Sequence, residues 1–176
     1  MSIESLKNTL PDFAKDIKLN LSTILTAEGV PDLQDNQIAG IALTSAYTTG
    51  NSLVIQAVLD EVTNILSDAE ITAAKSAATI MAMNNIYYRF IHLSSDKSFS
   101  SMPARLRMNV IANPGIEKMD FELYSLAASA LNGCGMCMDA HTNELIKSGM
   151  SKLAIQSSIR IASVINATSM AIGVST

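Results

Sequence analysis

Apolar side chains recur every three or four positions along most of the chain, the period of a helix that buries one face. Between Ile3 and Leu21 they fall at Leu6, Leu10, Phe13 and Ile17, and Pro11 marks a break or a fresh start. Pro31 suits a first helical turn, so the next helix is predicted from there to Thr49, with Ile38, Ile41 and Ala42 inward. Thr49-Gly50-Asn51-Ser52 reads as a helix end followed by a new cap. Leu53 to Leu66 is amphipathic through Val54, Val58, Val62 and Ile65. Ser67-Asp68-Ala69-Glu70 has the spacing of a capping box and opens a helix to about His92. Ser94 to Ser101 is a polar loop, and a short helix from Pro103 ends at Asn113-Pro114-Gly115. Further helices are predicted over about Glu117 to Leu131, from near Cys134 to Ser148, and from a Ser151 cap to about Ile172. No segment alternates with period two. The fold class is all-α.

Sliding the chain by 84 residues on itself sets Ser45-Ala46 on Ser129-Ala130, Leu66-Ser67 on Met150-Ser151, Ile71 on Ile155 and Ala78 on Ala162. Residues 1–176 are therefore expected to form one helical domain. Its core would be two quasi-repeated units, about 37–92 and 121–176. In that register Gly50, Leu53 and Ala57 stand where the second unit has Cys134, Cys137 and His141. Any chemistry of these residues belongs to the second unit alone.

Composition narrows the function. A chain of 176 residues that is 48% hydrophobic and 16% charged can bury a core and is a poor candidate for disorder. A net charge of −4 argues against nucleic-acid partners. The first residues carry Glu4, Asp12 and Asp16 and lack the apolar run of a secretory signal. No run of 18 residues is continuously apolar, so no membrane span and a cytoplasmic location are expected.

The two cysteines are three residues apart, in Cys134-Gly135-Met136-Cys137, and His141 lies one turn further. Two sulfurs at i and i+3 near a helix start can close a disulfide. The unpaired N–H groups and the dipole of that helix end favour a thiolate. His141, at i+4 from Cys137, shares its face and can take or return a proton. A thiolate, a second thiol and a base suffice to reduce a peroxide through a sulfenic acid and a disulfide. The rival readings are a pair of small buried apolar residues, or a zinc site. Three ligands so close on one helix start crowd one another, and no fourth follows. A redox pair is favoured over both, with no metal.

The spacing Glu-x11-Cys-x2-Cys-x3-His, at Glu122, Cys134, Cys137 and His141, resembles the AhpD-type alkyl hydroperoxide reductases of the carboxymuconolactone decarboxylase-like superfamily. The likeness continues through Leu106-Arg107-Met108-Asn109, Ile111 to Ile116, Phe121-Glu122-Leu123, Met83-Asn84-Asn85 with Tyr88-Arg89, and the opening Ser2-Ile3-Glu4 with Ala14 to Leu21. It implies a helical homotrimer that reduces organic hydroperoxides without a tightly bound cofactor. It also implies Cys137 as the attacking thiol, Cys134 as the resolving thiol, and His141 with Glu122 as the proton relay. The redox-active disulfide Cys134–Cys137 would be reduced by a lipoyl group on a partner protein, and an AhpC-type peroxiredoxin is a further partner. Met136 stands where the family often has a His, so the thiolate must rely on the helix end and His141. The alternatives are a carboxymuconolactone decarboxylase-like lyase and a non-enzymatic thiol redox sensor.

Spacing alone leaves Glu122 in question. Twelve residues of straight helix cover about 18 Å, so a tight antiparallel hairpin sets Glu122 beside residues deeper than His141. Its neighbours Ser125, Leu126, Ser129 and Ala130 are small and favour a half-buried carboxylate. Glu144 reads as a solvated helix face, Asp139 as a complement to the helix dipole, and His92 as a surface residue. Met136 and Met138 could line the mouth of the site. Asn84-Asn85 in an apolar helix needs hydrogen-bond partners on a neighbouring helix or subunit.

Overall fold

Ser2 accepts a hydrogen bond from the Ser5 N–H and opens the first helix, α1 (Ile3–Thr9). The computed structural model describes residues 1–175. Pro11 then interrupts: a 3-10 turn (Asp12–Ala14) intervenes before α2 (Lys15–Ile24). The helix expected from Pro31 begins four residues later, as α3 (Asp35–Thr49). Asp32 has φ +66°, which no helix accommodates, and Gln34 with Gln37 supplies a reciprocal cap beyond it. The Ser151 hydroxyl donates to the Asp32 carboxylate at 2.8 Å and ties this turn to a distant helix start.

Asn51 caps α4 (Ser52–Val62), and the Ser67–Glu70 box forms as expected at the head of α5 (Asp68–Leu93). The polar loop after it contains a 3-10 turn (Lys97–Ser101). The short helix expected from Pro103 shrinks to α6 (Asn109–Ala112), because Arg105 takes φ +51° and breaks the run. The chain ends with α7 (Lys118–Leu131), α8 (Gly135–Lys147) and α9 (Lys152–Gly173). Among the described residues there is no strand.

Two helices form the centre. Every residue of α3 from Gln37 to Ala46 is buried, and every residue of α7 from Asp120 to Ser129. Helices enclosed on all sides need small or apolar residues all round, and Gly40, Ala42, Ala46, Ala127 and Ala128 meet that need. α3 packs on α5, α7 and α9, while α7 packs on α3, α5, α8 and α9. Where α3 crosses α7, Gly40 faces the Tyr124 ring at a distance that leaves no room for a β-carbon. The Asn36 amide reaches the Asp120 carboxylate at 3.5 Å near the same crossing. α3, α4 and α5 start at residues 35, 52 and 68, and α7, α8 and α9 start at 118, 135 and 152.

Candidate active site

The turn from α7 into α8 leads into both cysteines. α7 closes with the Asn132 N–H bonded to the Ala128 carbonyl, and Gly133 follows at φ +67°, a conformation that costs any residue with a β-carbon. Reversal at Gly133 sets Cys134 as the N-cap of α8, where its Sγ accepts a hydrogen bond from the Cys137 N–H at 3.3 Å. A cap residue normally offers oxygen here; sulfur takes the place. Cys134 and Cys137 are joined as a disulfide, with Cα atoms 5.3 Å apart. Both are buried, Cys134 fully and Cys137 with 7% of its surface exposed.

His141 and Glu122 are also buried, and their side chains meet: His141 Nδ1 lies 2.6 Å from Glu122 Oε2. α7 ends at Leu131 as expected, and its packing against α8 brings the carboxylate to His141 itself, not to a deeper residue. The partner of Glu122 is the His at i+4 from Cys137. With Glu122 as the carboxylate acceptor, Nδ1 carries the proton and Nε2 is the nitrogen left for exchange.

Glu144 turns to Lys147 at 2.8 Å and to Lys118 at 4.0 Å, and so belongs to the solvated face. The hydrogen bond and charge of Lys147 hold the Glu144 carboxyl below the usual range. Asp139 and His92 are exposed. Met136 is exposed in the first turn of α8, and Met138 is half-buried. Among the described residues no three His, Cys, Asp or Glu side chains converge as a metal set. No helix among them is long and apolar enough to cross a membrane.

A second polar cluster, which hydrophobic periodicity does not mark, lies at the start of α7. The Gln37 amide donates to Asp120 Oδ1 at 2.7 Å, and the Asn36 amide donates to Glu70 Oε1 at 3.0 Å. Burial raises the Asp120 carboxyl above its ordinary value, against the hydrogen bond from Gln37. At Glu70 burial also pushes upward, but hydrogen bonds from Asn36 and Ser67 prevail and the carboxyl is lowered. These ties fix the start of α7, two residues before Glu122. The spacing of polar residues Asn36, Gln37 and Asp120 within otherwise apolar helices was the available signal. A mostly apolar cavity of about 280 Å³ lies elsewhere, among α1 to α4, and neither cysteine, His141 nor Glu122 lines it.

Residues 98–172 match the model of the Carboxymuconolactone decarboxylase family. Curated relatives cover nearly the whole chain. The chain is 54% identical to "Alkyl hydroperoxide reductase AhpD" of Coxiella burnetii over 93% of each chain. It is 54% identical to the protein of the same name from Rhodospirillum centenum, over 95% of this chain and 88% of that one. It is 50% identical to that of Maricaulis maris, over 95% of each.

Proposed function

The chain belongs to the AhpD group of the Carboxymuconolactone decarboxylase family, and from that membership we propose that it reduces organic hydroperoxides with the Cys134–Cys137 pair. One observation carries the reading: a disulfide at the head of α8, with a buried histidine one turn along held by a buried carboxylate. The cycle starts from the dithiol. Cys137 Sγ attacks the distal peroxide oxygen, the O–O bond breaks, and the alkoxide leaves as alcohol with a proton delivered through His141. Cys137 is then a sulfenic acid. Cys134 Sγ attacks it, water leaves, and the disulfide closes. Peroxide has gained two electrons and two protons, and the pair has lost them.

A dihydrolipoyl group on a partner protein returns both by thiol–disulfide exchange and becomes the cyclic lipoyl disulfide. Such a cycle suits the cytoplasm. In the same way the dithiol could reduce the disulfide of an AhpC-type peroxiredoxin. Glu122 and His141 act as the relay, and exposed Met136 offers apolar surface beside the pair for the alkyl part of the peroxide. The lyase reading is weaker, because proton transfer on a lactone acid needs no dithiol. An assay with lipoamide, lipoamide dehydrogenase, NADH and a small alkyl hydroperoxide should show NADH loss that depends on this chain. NADH loss no faster than in its absence refutes the proposal.

Self-association completes the reading. Ile86, Phe90 and Leu93 form a stripe at i, i+4 and i+7 on α5 and are 65%, 51% and 71% exposed. A neighbouring copy covering this stripe would accord with the homotrimer that the family resemblance implies. Light scattering should then give about three times 18.7 kDa for the purified chain, and a monomer mass overturns it. The two halves are read as quasi-equivalent units. The starts of the two helix triplets differ by 83, 83 and 84 residues, and the crossing pairs Asn36–Asp120 and Gly40–Tyr124 are each 84 apart, which supports an approximate two-fold axis there.

A further inference from the structure

The redox pair hangs on a turn that α5 grips from the side. Asn85, fully buried, donates through Nδ2 to Ser129 Oγ at 2.9 Å. Its Oδ1 accepts from the Asn132 side-chain amide, also at 2.9 Å. One turn further on the same face of α5, Arg89 Nη1 donates to the Asn132 backbone carbonyl at 2.5 Å. The Ser129 carbonyl in turn accepts the Cys134 N–H at 3.1 Å. Two residues of one helix therefore hold the last turn of α7 and its cap, and the residue after Gly133 is Cys134.

We infer that Asn85 and Arg89 are positioning residues that set the redox equilibrium of the Cys134–Cys137 pair. They hold the α7–α8 turn in its disulfide-closing conformation when the thiols are reduced. The inference deepens the thiol reading above and rests on it for its biological meaning. The hydrogen bonds of Asn85 and Arg89 reach Ser129, Asn132 and Met81 and neither cysteine sulfur. Their effect passes through the backbone of Asn132, Gly133 and Cys134.

A turn free to explore other conformers would separate the thiols for part of the time. Their effective concentration toward each other would fall. The disulfide would then be favoured less, because closing it would also have to order the turn. The clamp has already ordered that turn. Asn85 uses both ends of its amide within the protein core, which is how a buried amide is tolerated. A serine or an alanine at 85 loses one or both of those bonds. Arg89 is exposed on the chain, beside the Ile86, Phe90 and Leu93 stripe, so its removal leaves the Asn132 carbonyl without that donor and the core intact.

The test is an equilibrium that needs neither peroxide nor a lipoyl partner. The protein is held in mixtures of reduced and oxidised dithiothreitol, quenched with iodoacetamide, and its free thiols are counted by mass. As Cys134–Cys137 closes, oxidised dithiothreitol takes up the two electrons and two protons released. Arg89→Ala and Asn85→Ala should each shift the equilibrium about fivefold toward the dithiol, the size expected for freeing one backbone residue. Arg89→Lys, which keeps a donor for the Asn132 carbonyl, should stay within twofold of the parent protein. A shift under twofold in Arg89→Ala overturns the inference, as does an Arg89→Lys shift as large as that of Arg89→Ala. Should Asn85→Ala not fold, the Arg89 pair decides alone. A brace with a merely structural role would lower the melting temperature and leave this equilibrium unmoved. If the NADH-linked assay fails while the equilibrium shifts, the peroxidase reading falls and the clamp stands.

Discussion

Cys137→Ser should abolish hydroperoxide turnover, by a factor on the order of 10³ or more, because a serine hydroxyl cannot take the oxygen as a thiolate does. Cys134→Ser should also stop steady-state turnover, but at a later step. It should consume one equivalent of peroxide and stop at a sulfenic acid on Cys137, which dimedone traps and mass spectrometry locates. The asymmetry rests on position. Cys137 is the residue of the pair with some exposure and has His141 at i+4, whereas Cys134 is enclosed at the cap. Neither substitution removes a structural staple, since the reduced protein occurs in every cycle. Dimedone on Cys134 of the Cys137→Ser protein, with none on Cys137 of Cys134→Ser, would exchange the two roles.

The helices were legible in the sequence where a cap and a periodic face coincided. Ser67 with Glu70, Asn51, and Ser151 each mark a start that the side-chain hydrogen bonds confirm. Edges were misread where backbone conformation decided, at Asp32 and Arg105, because positive φ in a residue other than glycine leaves no mark on hydrophobic periodicity. The Cys-x2-Cys-x3-His spacing placed Cys134 at the head of α8 and Cys137 and His141 on it. Glu122 was reachable only by resemblance, since the angle between α7 and α8 is a tertiary quantity. The partners of Asn85 were illegible for the same reason. A buried amide announces that it needs partners and says nothing of where they are, and Ser129 and Asn132 lie 44 and 47 residues away.

Gly40→Ala should be the most damaging single-methyl change in the centre of the fold. A β-carbon at residue 40 would stand 1.9 Å from Tyr124 Oη and 2.0 Å from its Cζ, far inside contact distance. The ring cannot swing away freely, for Tyr124 is fully buried, and among the described residues its hydroxyl has no hydrogen-bond partner to reorganise around. α3 and α7 would have to part. Overpacking of this kind costs about 3 kcal/mol. Alanine's better helix propensity returns about 1 kcal/mol. The net loss of about 2 kcal/mol corresponds to roughly 4–8 °C in melting temperature for a chain of this size. Because Glu122 sits on α7 two residues before Tyr124, parting the helices also loosens the carboxylate behind His141, so turnover should fall along with stability. Tyr124→Leu, which removes the atoms in conflict, should cancel much of the Gly40→Ala penalty. The two losses should then sum to at least about 1 kcal/mol more than the double variant shows. Strictly additive losses, or a Gly40→Ala protein that melts with the parent, would mean that the crossing of α3 over α7 does not depend on that contact.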